Sequence, residues 1–135
     1  MKRKRIGGST AVTLMMIGVA VVCYAGVLDG TRGKVTVVPD KAAADKGEKE
    51  FGDTLSFTNG KFSSAFFLAK GFGPAKYNGE TEENEAEFEV EQTSVTNGVI
   101  DWLGEVRGKK FVGKLEWKKK KDGPALTYNF EGTKE

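Results

Sequence analysis

The strongest constraint on the fold of this chain is an alternation of apolar and polar side chains with a period of two, cut at short intervals by turn residues. Strict alternation places one face of a strand against a core and leaves the other in water. Lys34 to Val38 is the first expected strand, and Thr54 to Thr58 the second, with Leu55 and Phe57 on one face. Asn59-Gly60 then turns the chain into Lys61 to Leu68, where Phe62, Ser64, Phe66 and Leu68 share a face. Glu85 to Thr93 sets Phe88 and Val90 inward and Glu87, Glu89 and Glu91 outward. Val99 to Arg107 offers Ile100, Trp102, Gly104 and Val106; Lys110 to Lys118 offers Phe111, Gly113, Leu115 and Trp117. Ala125 to Gly132 offers Leu126, Tyr128 and Phe130.

Asn59-Gly60, Asn78-Gly79, Asn97-Gly98, Gly108 and Asp122-Gly123 supply the turn signals. Asn-Gly and Asp-Gly tolerate the positive φ that tight hairpins require. Their spacing fits a meander. The fold class is therefore all-β: an antiparallel up-and-down meander of seven or eight strands forming a small barrel. Gly104 and Gly113 are expected to relieve crowding among the inward aromatic rings. The outward glutamates are expected to lie across from Arg107 or lysines on a neighbouring strand.

Two stretches interrupt the meander. Residues 40–46 are rich in alanine and charge and read as a short helix, with Asp40 as N-cap and Gly47 as its end. Gly71 to Asn84 reads as a long connection.

Ahead of the strands lies an address. Lys2-Arg3-Lys4-Arg5 precedes an uncharged apolar run from Ala11 to Ala25, with small residues at Cys23 and Ala25. That is the layout of a secretory signal helix. The run of about 15 residues is short of the roughly 20 a spanning helix needs. Residues 1–25 are read as the signal peptide, cleaved near Ala25, and residues 26–135 as one barrel domain exported to the periplasm or the medium. Membrane anchoring through the N-terminal segment is the alternative, and lipidation at Cys23 a third.

The address also carries the positive charge. The chain has 21 Lys and Arg against 19 Asp and Glu. Without the four cations at positions 2–5 there are 17 against 19, a net charge of −2. A nucleic-acid partner is not expected of such a domain. Cys23 is the sole cysteine and there is no histidine. Ser-His-Asp and Cys-His triads and Cys/His zinc sites are thereby excluded. No paired-carboxylate constellation, calcium loop or phosphate-binding glycine loop is legible, so no catalytic residue, metal or cofactor is expected. The acidic run Glu80, Glu82, Glu83, Glu85 and Glu87 reads as solvated.

Leu28-Asp29-Gly30-Thr31 leading into a strand, then a short helix, then a hairpin meander, resembles the lipocalin-like (calycin-type) barrels of small secreted bacterial proteins. Families of that shape open with Gly-x-Trp, whose Trp plugs the barrel base; here Gly30 and Gly33 are present and no Trp follows. The resemblance implies a barrel that holds a small apolar or amphipathic ligand. Trp102, Trp117, Phe66 and Tyr128 are the expected ligand-binding residues if they gather at one open end. Phe72 and Tyr77, beside Pro74, are candidates for a lid. The alternative is a non-catalytic interaction domain whose aromatic residues fill the interior and which works through its outer surface. Lys118-Lys119-Lys120-Lys121 is the candidate for contact with a membrane or envelope surface. A monomer is the expected state.

Overall fold

The computed structural model describes residues 26–135; residues 1–25, read above as a signal peptide, lie outside the described residues. Eight antiparallel strands in chain order close into a barrel. They are β1 (Arg32–Pro39), β2 (Phe51–Thr58), β3 (Lys61–Ser64), β4 (Ala75–Glu82), β5 (Glu85–Ser94), β6 (Gly98–Arg107), β7 (Lys110–Lys118) and β8 (Ala125–Lys134). Two short helices, α1 (Lys41–Asp45) and α2 (Ala65–Leu68), sit between β1 and β2 and between β3 and β4. These pairings close the barrel, and enclose its core, among the described residues themselves.

Local chemistry explains most elements. Asp40 caps α1 by accepting from the Ala43 N–H at 2.8 Å, and Gly47 at φ 95° ends that segment. Asn59 and Gly60, at φ 54° and 76°, make the tight hairpin from β2 to β3. On β5, Ala86, Phe88, Val90 and Gln92 are buried while Glu85, Glu87, Glu89 and Glu91 are exposed. Gly104 and Gly113 act as expected: a Cβ at either would collide with the Phe130 ring, and at Gly104 with Phe88 as well.

Three expectations fail, each for a tertiary reason. The third strand stops at Ser64, because the chain coils into α2 there. Asp53 on β2 accepts hydrogen bonds from the Ser64 hydroxyl and, at 2.9 Å, from the Phe66 N–H. Ser64 in turn accepts from the Phe67 N–H at 3.2 Å. The helical turn buries Phe67 and leaves Phe66 half-buried and Leu68 51% exposed, so Phe66 and Leu68 do not share an inward face with Phe62.

The long connection Gly71–Asn84 is mostly β4, and Asn78-Gly79 lies inside that strand. The turn is Glu83-Asn84, with Glu83 at φ 54°. Gly79 serves close packing, since a Cβ there would strike the Val27 side chain.

On β6 the residues directly opposite Glu87, Glu89 and Glu91 are Glu105, Leu103 and Asp101 rather than cations, although Arg107 still acts on Glu87 electrostatically. Glu87 pairs with Glu80 on one side and Glu105 on the other, and Glu91 with Asp101. Asp101 faces Glu116 in turn. Arg107 pairs with Glu85 and contacts Glu105. An acidic stripe thus crosses the outer wall.

Candidate functional site

Aromatic rings run through the barrel from one end to the other. At the base, Tyr77 lies 4.8 Å from Phe57, which touches Phe62 at 5.3 Å and Phe88 at 5.0 Å. Trp102 occupies the middle, 4.8 Å from Phe62 and 5.5 Å from Phe130. Phe67 continues the column upward, 5.9 Å from Trp102 and 5.0 Å from Trp117. These edge and offset contacts are the favourable ones for π-systems.

The base is closed by residues 26–31 rather than by a Trp. Leu28 is buried there, and its N–H donates to the Tyr77 hydroxyl at 2.8 Å. That hydroxyl donates to Asp29, whose carboxylate also accepts from the Gly60 N–H. Burial and then the Asp29 hydrogen bond push the Tyr77 phenol up to about 12, so it stays protonated.

The other end is bordered by α2 and the segment after α1. Phe51 and Phe66 stack there with centroids 3.7 Å apart and planes 14° apart, both half-buried. Phe51 is also 5.8 Å from Tyr128. The Lys70 ammonium stands 5.0 Å from the Phe66 ring, and that of Lys119 4.6 Å from the Trp117 indole. Glu48 joins the two sides of this mouth: it accepts from Lys119 at 2.8 Å and from the Tyr128 hydroxyl. Burial alone would raise the Glu48 carboxyl, but the hydrogen bonds from Lys119 and Tyr128 outweigh it and the net shift is downward. Tyr128 moves upward, by burial and then by its bond to Glu48.

Five of the six residues expected at a ligand site therefore converge toward one end. Phe66 and Tyr128 flank Phe51 at the mouth, Phe72 and Trp117 lie 6.2 Å apart just beneath, and Trp102 is deeper. Tyr77 does not join them; it sits at the base. Phe72 is fully buried, packed on Phe67, and its loop is tied down where Gln92 donates to the Gly73 carbonyl at 3.0 Å. Sequence reading missed Phe51, Phe67, Lys70, Glu48 and Asp53. Extending the period-two pattern of β2 backward from Leu55 would have found Asp53 and Phe51, whereas the mouth lysines and Glu48 carry no local signal.

A second concavity lies on the outer wall, a trough of about 590 Å³ whose lining includes Lys76, Glu89, Glu91, Asp101, Lys114 and Glu116. Burial and then Glu91 and Glu116 push Asp101 upward; burial and then Glu87 push Glu80 upward. Burial also raises Asp53 against its hydrogen bonds. Among the described residues no group of three or more acidic, Cys or His side chains is arranged to hold a metal ion.

These shifts have a sign. A carboxyl raised in the folded state adds stability when protonated; that contribution is complete below the ordinary values of 3.8 and 4.5 and is lost as pH rises through the folded values. Glu48 works the other way: its contribution is present above 4.5 and lost as pH falls through its lowered value. Thermal unfolding is thus expected to shift upward as pH falls from neutrality toward the ordinary carboxyl values of 3.8 and 4.5. Asp101→Lys, facing Glu91 and Glu116, should add about 0.5–1 kcal/mol at neutral pH and flatten that dependence. A stability lowered by Asp101→Lys, or one that rises with pH over this interval, would contradict the account.

No family model, curated protein or solved structure matches the chain.

Proposed function

We propose that the protein is an exported, non-catalytic binding barrel that takes a small amphipathic molecule at the α2 mouth. The apolar part of the ligand lies against the Phe51–Phe66 stack, and its anionic group faces Lys70 and Lys119. The observation that carries this reading is the half-buried ring pair at the mouth with ammonium groups at its border. The deeper interior is occupied by the rings of Phe57, Phe62, Phe67, Phe88 and Trp102, which favours a site at the mouth over one in the centre.

The coarse architecture, an eight-stranded meander barrel, supports a lipocalin-like kinship and the small-ligand role that goes with it. Export is supported by the basic start and the short apolar run that ends at Ala25; retention through that segment would keep the same barrel at the membrane. A non-catalytic role is supported by the absence of histidine and of any cysteine after Cys23.

Native mass spectrometry of the mature protein from its exported fraction tests the reading. The expected result is a stoichiometric extra mass that leaves on denaturation and is lost in Phe66→Ala combined with Lys70→Glu. The same pair should abolish fluorescence enhancement of anilinonaphthalene sulfonate, an amphipathic anion. A bare monomer mass, with no enhancement by the dye, would instead assign the protein to the packed-interior class that acts through its outer surface.

A further inference from the structure

The end of the barrel that holds α2 carries more than a mouth. Leu68 is 51% exposed and Val95, in the turn from β5 to β6, is completely so. The two stand on one rigid unit: the Lys70 carbonyl accepts from Asn97 Nδ2 at 2.7 Å and from the Ser94 hydroxyl at 3.3 Å. The Asn97 carbonyl accepts from the Trp117 indole at 2.8 Å, which joins that turn to the end of β7. There the turn from β7 to β8 begins, with Lys118, Lys119, Lys120 and Lys121 all exposed. Of these four, Lys119 alone has an ion-pair partner among the described residues.

We propose that this end docks on an anionic lipid surface, with Leu68 and Val95 entering the headgroup layer and Lys70, Lys120 and Lys121 facing the lipid charges. Charge complementarity selects the partner and the pose. Lysines next to a bilayer are drawn to anionic headgroups, whereas the stripe of Glu91, Asp101 and Glu116 on the flank is repelled by them. An end-on approach satisfies both. The charged outer wall also rules out insertion of the strands themselves, since a spanning barrel turns an apolar band to lipid. A soluble polyanion would engage the lysines but offers no apolar phase for Val95. The proposal does not depend on a ligand at the mouth.

The test is co-sedimentation of residues 26–135 with vesicles of phosphatidylglycerol and phosphatidylcholine, each variant being checked for fold by circular dichroism. Binding is expected to the anionic vesicles and not to pure phosphatidylcholine. Lys120→Ser combined with Lys121→Ser should weaken it about thirtyfold, and Val95→Asp should weaken it as well. Leu103→Ser, which removes an exposed apolar side chain from the flank, should leave it unchanged. Failure to bind anionic vesicles overturns the proposal. So does binding that Val95→Asp leaves intact, or binding that Leu103→Ser removes; the first would assign the lysines to polyanions and the second would assign contact to the flank.

Discussion

Gly132→Ala is expected to open the barrel. Gly132 sits on β8 where it faces Val35 of β1 on one side and Phe111 of β7 on the other. A Cβ added there would overlap the Lys34 carbonyl oxygen and come against Val35 Cα. Both are backbone atoms in the strand pairing that closes the sheet on itself, so no side-chain rotation relieves the clash. The loss should reach about 3 kcal/mol or more. It would be measured by urea unfolding, with amide exchange locating the damage on β1 and β8. Gly52→Ala is the control on the other side of β1, because its Cβ would meet only the Val35 carbonyl oxygen, at 4.0 Å. If both variants lie within about 0.5 kcal/mol of the parent, closure does not depend on Gly132.

Trp102→Ala should cost about 3–5 kcal/mol. Trp102 is 1% exposed and touches Phe62, Phe67 and Phe130. It also donates from its indole N–H to Gln92 at 2.8 Å, and Gln92 is fully buried. Truncation leaves a cavity and removes the donor from the Gln92 carbonyl oxygen at the same time. Because the hole is lined by rings, added indole should bind the variant and raise its unfolding temperature in a concentration-dependent way. Trp102→Phe, which keeps most of the volume but not the N–H, should fall between. A Trp102→Ala protein as stable as the parent would mean that the ring column is not the core that holds the barrel.

The strands from Glu85 onward were legible almost to the residue, and β7 was legible in full, because each has a strictly alternating apolar pattern bounded by a turn residue. The stretch between Ser64 and Asn84 was not. Ala65-Phe66-Phe67-Leu68 has no period, and what folds it into a helical turn is Asp53, on another strand, bonding to Ser64 and Phe66. Asn78-Gly79 has the composition of a turn, yet Gly79 is needed where the Val27 side chain packs against the strand. The site followed the same division. Trp102, Trp117 and Tyr128 announced themselves as large inward rings, while the burial of the lid candidate Phe72, the stack of Phe66 on Phe51 and the Lys119–Glu48–Tyr128 link required distant segments to meet.

The sequence by itself determined an all-β meander with one buried and one charged face, since side-chain alternation and turn chemistry act over two to four residues and need no tertiary partner. The tertiary structure decided that the meander closes between β1 and β8, that like charges line up across β5, β6 and β7, and which aromatic residues border the mouth. Those outcomes depend on the stagger between strands, which is set by backbone contacts such as Gly132 on Lys34 and by ring packing in the shared core. Both couple residues far apart in the chain, and neither leaves a pattern that can be read along it.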